Sequence, residues 1–352
     1  MNQRERFLTA LARKQPDKVP ICELHIDEPI IRRLAEMLEL RSASEKEAGY
    51  VGLYSDVVER LDLDAVIYSF SFGFKNISEK KARDKFGRIY GLSPHGEPLP
   101  IEPRVQDLSG LQSYDMAAQI SPEDFRDLKY VIDRFKSTRA CLMPVSDPYK
   151  EAWRTLGGMQ TLLLNFRTDP ELVHGLLRVT TDFALKAIDI AIDIGVDAFI
   201  VPGDFAHETG LLFSLSDYRE YLKPLHKEIV DHVHRKGAMI IKHSDGNVWP
   251  LLDEWLEIGF DGFHPIQPQC MDLREVKARF GEKMALVGNI DCRTLLVLGT
   301  PEEVRQTVKE TIAIAAPGGG YIVSSSNSIH PNCKPENYLA MVEAVHKYRE
   351  VY

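Results

Sequence analysis

Eight short apolar runs, each trailed by a helical pattern, constrain this chain more than any other feature. They are VPICELH (19–25), AVIYSF (65–70), ACLMPVS (140–146), AFIVPGD (198–204), MIIKHSD (239–245), GFHPI (262–266), MALVGNID (284–291) and GYIVSSSN (320–327). The apolar residues are consecutive rather than alternating, as in parallel strands covered on both faces. Helices are predicted between them over 170–195, 214–237, 248–259, 301–318 and 334–348. Ser214 and Thr300 stand at N-cap positions, Pro301 follows at the first helical position, and Gly237 is a stop. Eight strands alternating with helices predict an α/β protein, a (β/α)₈ TIM barrel. Residues 75–135, with KARDKFGRIYGLSPHGEPLPIEP, read as an inserted hairpin with Gly/Pro turns. No low-complexity linker interrupts the chain, so residues 1–352 are expected to form a single barrel domain. An open doubly wound sheet is the alternative. It is weakened because no Gly-rich phosphate fingerprint follows an early strand.

Composition narrows the function classes. The net charge is −9 and there is no long basic run, which argues against nucleic acid as a partner. The N-terminal stretch carries charges inside its apolar pattern, and no run of about 18 apolar residues occurs. A cytoplasmic protein with no membrane association is expected. Five widely spaced cysteines, Cys22, Cys141, Cys270, Cys292 and Cys333, do not suggest a disulfide framework and are expected to be thiols, mostly buried.

In such a barrel the chemistry sits at the C-terminal ends of the strands. The run at 239–245 ends in His243 and Asp245, two positions apart and so on one side of a strand. The run at 198–204 ends in Asp204, with His207 and Glu208 close behind. His264 ends the next run; Asn289 and Cys292 end the one after; Asn327 follows the last. Asp, Asn and Ser are also ordinary turn and cap residues, which is the bland reading for each taken alone. Their convergence on one mouth nominates His243, Asp245, Asp204 and Glu208 as acid–base groups, and His207, Asn289 and Asn327 as substrate contacts. The aromatic residues Tyr68 and Phe70, with Phe72, Phe74, Trp153 and Met159, are candidates to line an apolar pocket or to be plain core.

The segments RERFLTALARKQPDKVPI, KHSDGNVWPLLDEWLEIGFDGFHPIQP, VGNIDC, APGGGYIVSSSNSIHPNCKPENY and PENYLAMVEAVHKY resemble the uroporphyrinogen decarboxylase superfamily, over nearly the whole chain. The branch they most resemble is the corrinoid-dependent methyltransferases, particularly those that remove O-methyl groups. The resemblance implies methyl transfer from a small methylated donor, a methoxylated aromatic, to cob(I)alamin on a partner corrinoid protein, since no DxHxxG-type segment is present here. It also implies a homodimer by analogy. True uroporphyrinogen decarboxylases carry an arginine-rich segment after the first strand; this chain reads CELHIDEPIIRRL, and Ser71 stands near the position of their substrate-binding aspartate. Thiol-directed relatives hold zinc with His-x-Cys and a later Cys. Here His243 matches, but Asp245 and Asn327 replace the cysteines. Another zinc set is available in His264, Cys292 and Cys333, with His243 able to join; His243 with Asp245 and Glu208 is the competing set. The alternative function is a decarboxylase or lyase acting on a small carboxylic acid.

Overall fold

The computed structural model describes residues 1–40, 42–70, 73–93 and 96–350. Seven parallel strands form one sheet in chain order: β1 (Ala65–Ile67), β2 (Ala140–Pro144), β3 (Ala198–Val201), β4 (Met239–His243), β5 (Gly262–His264), β6 (Ala285–Ile290) and β7 (Tyr321–Ser325). The first predicted strand, 19–25, is reduced to a bridge, yet it completes the ring. Ile21 bridges Val323 of β7, while the amide of Asp64, just before β1, donates to the Ile21 carbonyl at 2.8 Å. A buried carboxylate makes this joint: Asp64 accepts from the Ile21 amide at 2.9 Å and from Arg6 at 2.6 Å. The sheet is a closed barrel in topology, as the alternation of runs and helices predicts.

Side chains alternate across each strand. Cys22, Ile67, Leu142, Ile200, Ile241, Val287 and Ile322 form a cluster inside the barrel. Val66, Phe199, Ile240, Leu286 and Val323 belong to the larger core between sheet and helices. Nearer the N-terminal ends of the strands the interior is lined by Ala65, Ala140, Ala198 and Ala285. These small residues leave room for Phe7, Ala10 and Leu11 of the N-terminal helix Gln3–Leu11, all fully buried, which plugs that end. Asn2 and Glu5 cap this helix reciprocally.

The helices fall close to their predicted bounds: Pro170–Ile194, Trp249–Ile258, Pro301–Ala315 capped by Thr300, and Pro335–Tyr348. The stretch 214–237 is divided into Leu215–Asp217, a wider turn Tyr218–Leu222, and Lys223–Arg235. The insertion is more than a hairpin. Lys75–Ser78, Lys81–Arg83, Ile89–Ser93 and Gly96–Glu102 make a four-stranded antiparallel sheet, followed by helices Leu108–Gln112 and Arg126–Phe135. No described helix is long and apolar enough to cross a membrane.

Candidate active site

The mouth at the C-terminal ends of β3 and β4 brings three predicted residues together. His243 is the last residue of β4; inward-facing Ile241 places it inward as well. Its Nε2 lies 3.8 Å from a carboxylate oxygen of Asp204 and 3.8 Å from one of Asp245. The donor atoms of Asp204, His243 and Asp245 all lie within 4.8 Å of one another. Among the described residues this is the one group of three or more His, Cys, Asp and Glu side chains with that convergence.

Neighbours fix each member. His243 Nδ1 is 2.7 Å from His264 Nδ1. With His264 accepting, His243 keeps its proton on Nδ1 and turns its Nε2 lone pair toward the carboxylates. Burial pulls His243 down to about 3, with Lys242 and Lys150 adding to the effect. Burial and then His243 hold His264 well below the usual range. Both imidazoles are therefore neutral at physiological pH, as a metal ligand must be. Asp245 is raised to about 7, first by burial and then by the charge of Asp204, against a hydrogen bond from Asn327 Nδ2. Its Oδ1 is buried without a hydrogen-bond partner. The Asp245 amide donates to Asp204 Oδ1 at 3.1 Å, which links the two loops.

Two carboxylates, one of them with a buried oxygen that lacks a hydrogen-bond partner, and one neutral imidazole nitrogen fit a zinc ion. Donors about 2.1 Å from a central ion stand roughly 3.4 Å apart in a tetrahedron, near the separations found here. His264 would then act as the outer-shell partner of His243.

A second layer braces this site from behind. Lys242 points outward from β4 and is fully buried. Its Nζ donates to the carbonyls of Val201 and Gly203 at 3.2 Å, to that of His243 at 2.9 Å, and to Asp147 Oδ2 at 3.2 Å. It lies 4.3 Å from the centre of the Phe205 ring. Asp147 also caps the helix Pro148–Thr155 and meets His226 Nε2 at 3.0 Å; His226 Nδ1 meets the Tyr218 hydroxyl at 3.0 Å. Burial pushes Asp147 up, but Lys242 and His226 outweigh it and hold the carboxylate at about 2.

The remaining predicted residues are placed differently. Glu208 and His207 lie on an exposed rim turn, where Glu208 is paired with Arg293 rather than joining the triad. Asn327 bonds Asp245. Asn289 does not face the mouth: its Nδ2 donates to the Ile266 carbonyl at 2.9 Å and it lines a groove with Met271 and Thr311. Among the described residues, the donor atoms of the trio His264, Cys292 and Cys333 do not form a convergent group. Cys333 Sγ donates to the Cys292 carbonyl at 3.5 Å, and Cys292 Sγ accepts from Ser326 Oγ at 3.4 Å. Burial raises the two thiols to about 11 and about 12. Tyr68 packs on Tyr54 with ring centres 5.2 Å apart, and Trp153 and Met159 pack against the outer core. Phe70 and Phe74 line a cleft, whereas Ser71 and Phe72 lie outside the described residues.

Two clefts flank the triad. One of about 440 Å³ lies between the ends of β1–β3 and the inserted sheet, with Phe70, Arg88, Lys150 and Arg154 in its walls. The other, about 470 Å³, has Asp245, Gln267, Cys292, Arg293 and Asn327 in its walls. Lys150, Arg88 and Lys242 escaped sequence reasoning. Lys150 carried a signal, since DPYKEAW directly follows the run at 140–146 and puts a lysine in the first turn of a βα unit.

The Uroporphyrinogen decarboxylase (URO-D) family model matches residues 86–348. A uroporphyrinogen decarboxylase of Pseudoalteromonas atlantica is 25% identical, with 99% of this chain and 98% of that protein covered. One from Alkalilimnicola ehrlichii is 26% identical, over 99% of this chain and 95% of the relative. Among solved structures, a methyltransferase from Methanosarcina mazei superposes over 99% of both chains with a TM-score of 0.77 at 18% identity, a likeness of fold. The two relatives and the solved structure match this chain over nearly its whole length, in accord with the barrel described above. The chain belongs to the uroporphyrinogen decarboxylase family.

Proposed function

We propose that this chain is a methyltransferase that removes a methyl group from a methoxylated aromatic donor and passes it to the reduced corrinoid of a partner protein. The observation that carries the reading is the Asp204–His243–Asp245 triad at the barrel mouth. The fold likeness to a methyltransferase supports it. Acidic groups where a polycarboxylate substrate would need cations weigh against uroporphyrinogen. Zinc held by the triad would supply a Lewis acid that draws charge from the ether oxygen as the C–O bond weakens. The chain's own residues prepare that place. His264 orients His243, and Asn327 orients Asp245. Lys242 ties the ends of β3 and β4 together. Their rigidity lowers the reorganisation needed as charge develops.

The test combines elemental analysis with a methyl-transfer assay on methoxybenzenes and a reduced corrinoid protein. About one zinc per chain is expected, lost together with activity in His243→Ala and Asp245→Ala. Transfer that persists in a rigorously metal-free protein would overturn the metal role; no transfer to any reduced corrinoid would overturn the reading itself. A second reading, decarboxylation of a small carboxylic acid with Asp245 as proton donor, draws on the relatives' activity and on the raised Asp245 carboxyl. A metal-free chain that releases carbon dioxide from such an acid would favour it.

A further inference from the structure

We infer that the cleft between the inserted sheet and the ends of β1–β3 binds an aromatic carboxylate, held through Lys150; this rests on the methyl-transfer reading and names its donor class.

The walls of the cleft carry three cations, Arg88, Lys150 and Arg154, against two carboxylates, Asp84 and Glu151. Arg88 is buried and spans both acids, with its Nε 2.5 Å from Asp84 Oδ2 and its Nη1 on Glu151 Oε2. Arg154 leans on the other oxygen of Glu151 at 3.3 Å, and its Nε is buried without a hydrogen bond. The two acids are thus shared between two arginines. Lys150 has no ion-pair partner among the described residues, so the cleft holds one positive charge in surplus. This ammonium is carried by the helix Pro148–Thr155, whose cap Asp147 bonds Lys242, the neighbour of His243 on β4.

The apolar walls are aromatic. Phe70, Phe74, Phe86, Tyr90 and Phe183 line the same space. Phe86 and Phe183 meet edge to face at 5.1 Å, and Phe74 and Tyr90 at 5.2 Å. Rings so arranged present faces and edges to another ring. The volume, about 440 Å³, lies in the range of small-ligand pockets, roughly 300–1,000 Å³. A single aromatic ring with one anionic substituent satisfies the rings and the surplus cation together. A polycarboxylate would exceed the one free charge, and a cationic amine would meet the ammonium.

Isothermal titration with 4-methoxybenzoate and its uncharged analogue 4-methoxybenzamide tests this directly, without turnover. The acid is expected to bind at least tenfold more tightly than the amide. Lys150→Met should erase that preference while leaving amide affinity and melting temperature unchanged. Phe86→Ala should weaken both probes alike. Equal affinity for acid and amide in the unaltered chain, or an acid preference that survives Lys150→Met, would overturn the inference. Failure of the methyl-transfer reading has a separate signature. The acid would bind through Lys150, yet no methyl would reach a reduced corrinoid protein.

Discussion

Replacing Lys242 by Met tests whether the buried charge pair behind β4 holds the site in place. The methionine keeps the length of the side chain and removes the ammonium. Asp147 then remains fully buried with His226 as its charge partner, and the carbonyls of Val201, Gly203 and His243 lose a donor. Stranding one half of a buried pair costs about 3–5 kcal/mol. The loss should fall at the lower end, because Lys242 itself helps keep His226 neutral, and its removal lets His226 take a proton. Asp147→Asn preserves the cap on Tyr149 and strands the lysine instead. The double variant should be less destabilised than the sum of the singles by about 2 kcal/mol. Urea denaturation midpoints, read by circular dichroism, measure all four states. Acid provides a second axis. Asp147 is held at about 2 in the fold, below its unfolded value of about 3.9, so its contribution is present above pH ~4 and lost as pH falls toward 2. That contribution is roughly 2–3 kcal/mol and should shrink in Lys242→Met. Zinc affinity should fall about tenfold in the folded variant, as for other outer-shell changes. Additive single variants, or a Lys242→Met protein less than about 1 kcal/mol weaker, would refute the reasoning, because neither is compatible with a coupled buried pair.

Three further outcomes are expected. Glu23 is buried against Ser324 and Ser325, and burial raises it to about 8, above its unfolded value of about 4.3. The stability that goes with its proton is complete below pH ~4 and is lost progressively as pH rises from about 4 to about 8, so Glu23→Gln should flatten the decline in melting temperature across that interval. Gly246→Ala should cost about 2 kcal/mol and impair zinc uptake. Its φ is +87° and a Cβ would lie 2.6 Å from the Ala206 carbonyl, so backbone beside Asp245 must move. Cys333→Ala should cost about 1–2 kcal/mol for an emptied buried site yet leave zinc stoichiometry unchanged. Metal loss in that variant would return the thiols to the ligand set.

The fold was legible because its signal is repeated. Consecutive apolar residues such as those of MIIKH serve two cores at once, Ile241 inside the barrel and Ile240 outside. The caps at Ser214 and Thr300 announced helix starts by local chemistry alone. The first strand was overread, because VPICELH needs only Ile21 and Cys22 to bridge β7 and spends Glu23 on a buried hydrogen bond to Ser325. The triad was legible in part. The spacing of His243 and Asp245 put both on one side, but the choice between Glu208 and Asp204 depends on loop geometry. Glu208 found Arg293 across the rim, 85 residues away. The cysteines cannot be aimed from sequence alone, because a strand-end thiol can turn toward a neighbouring carbonyl as easily as toward the mouth, and Cys333 does so. Lys242 reads as a plain alternating residue until the outer layer supplies Asp147.

Charge is divided across the barrel mouth, and this division bears on what the chain can accept. On the β3–β4 side, Asp204 and Asp245 face a neutral histidine, and burial, followed by the charge of Asp204, raises Asp245 to about 7, so that a strain goes with holding its charge there. A cation there relieves that strain; an anionic substituent there adds to it. On the β1–β2 side the arginines are already spent on Asp84 and Glu151, and Lys150 is the unspent charge. A substrate with many carboxylates would be repelled on one side and find a single partner on the other. A monoanionic aromatic has one favoured orientation, with its charge on the lysine side and its ring among Phe70, Phe86 and Phe183. Under the proposed reading, the electrostatic partition set by a few strand-end residues would favour a small monoanionic aromatic over a polycarboxylate, with the order of strands unchanged.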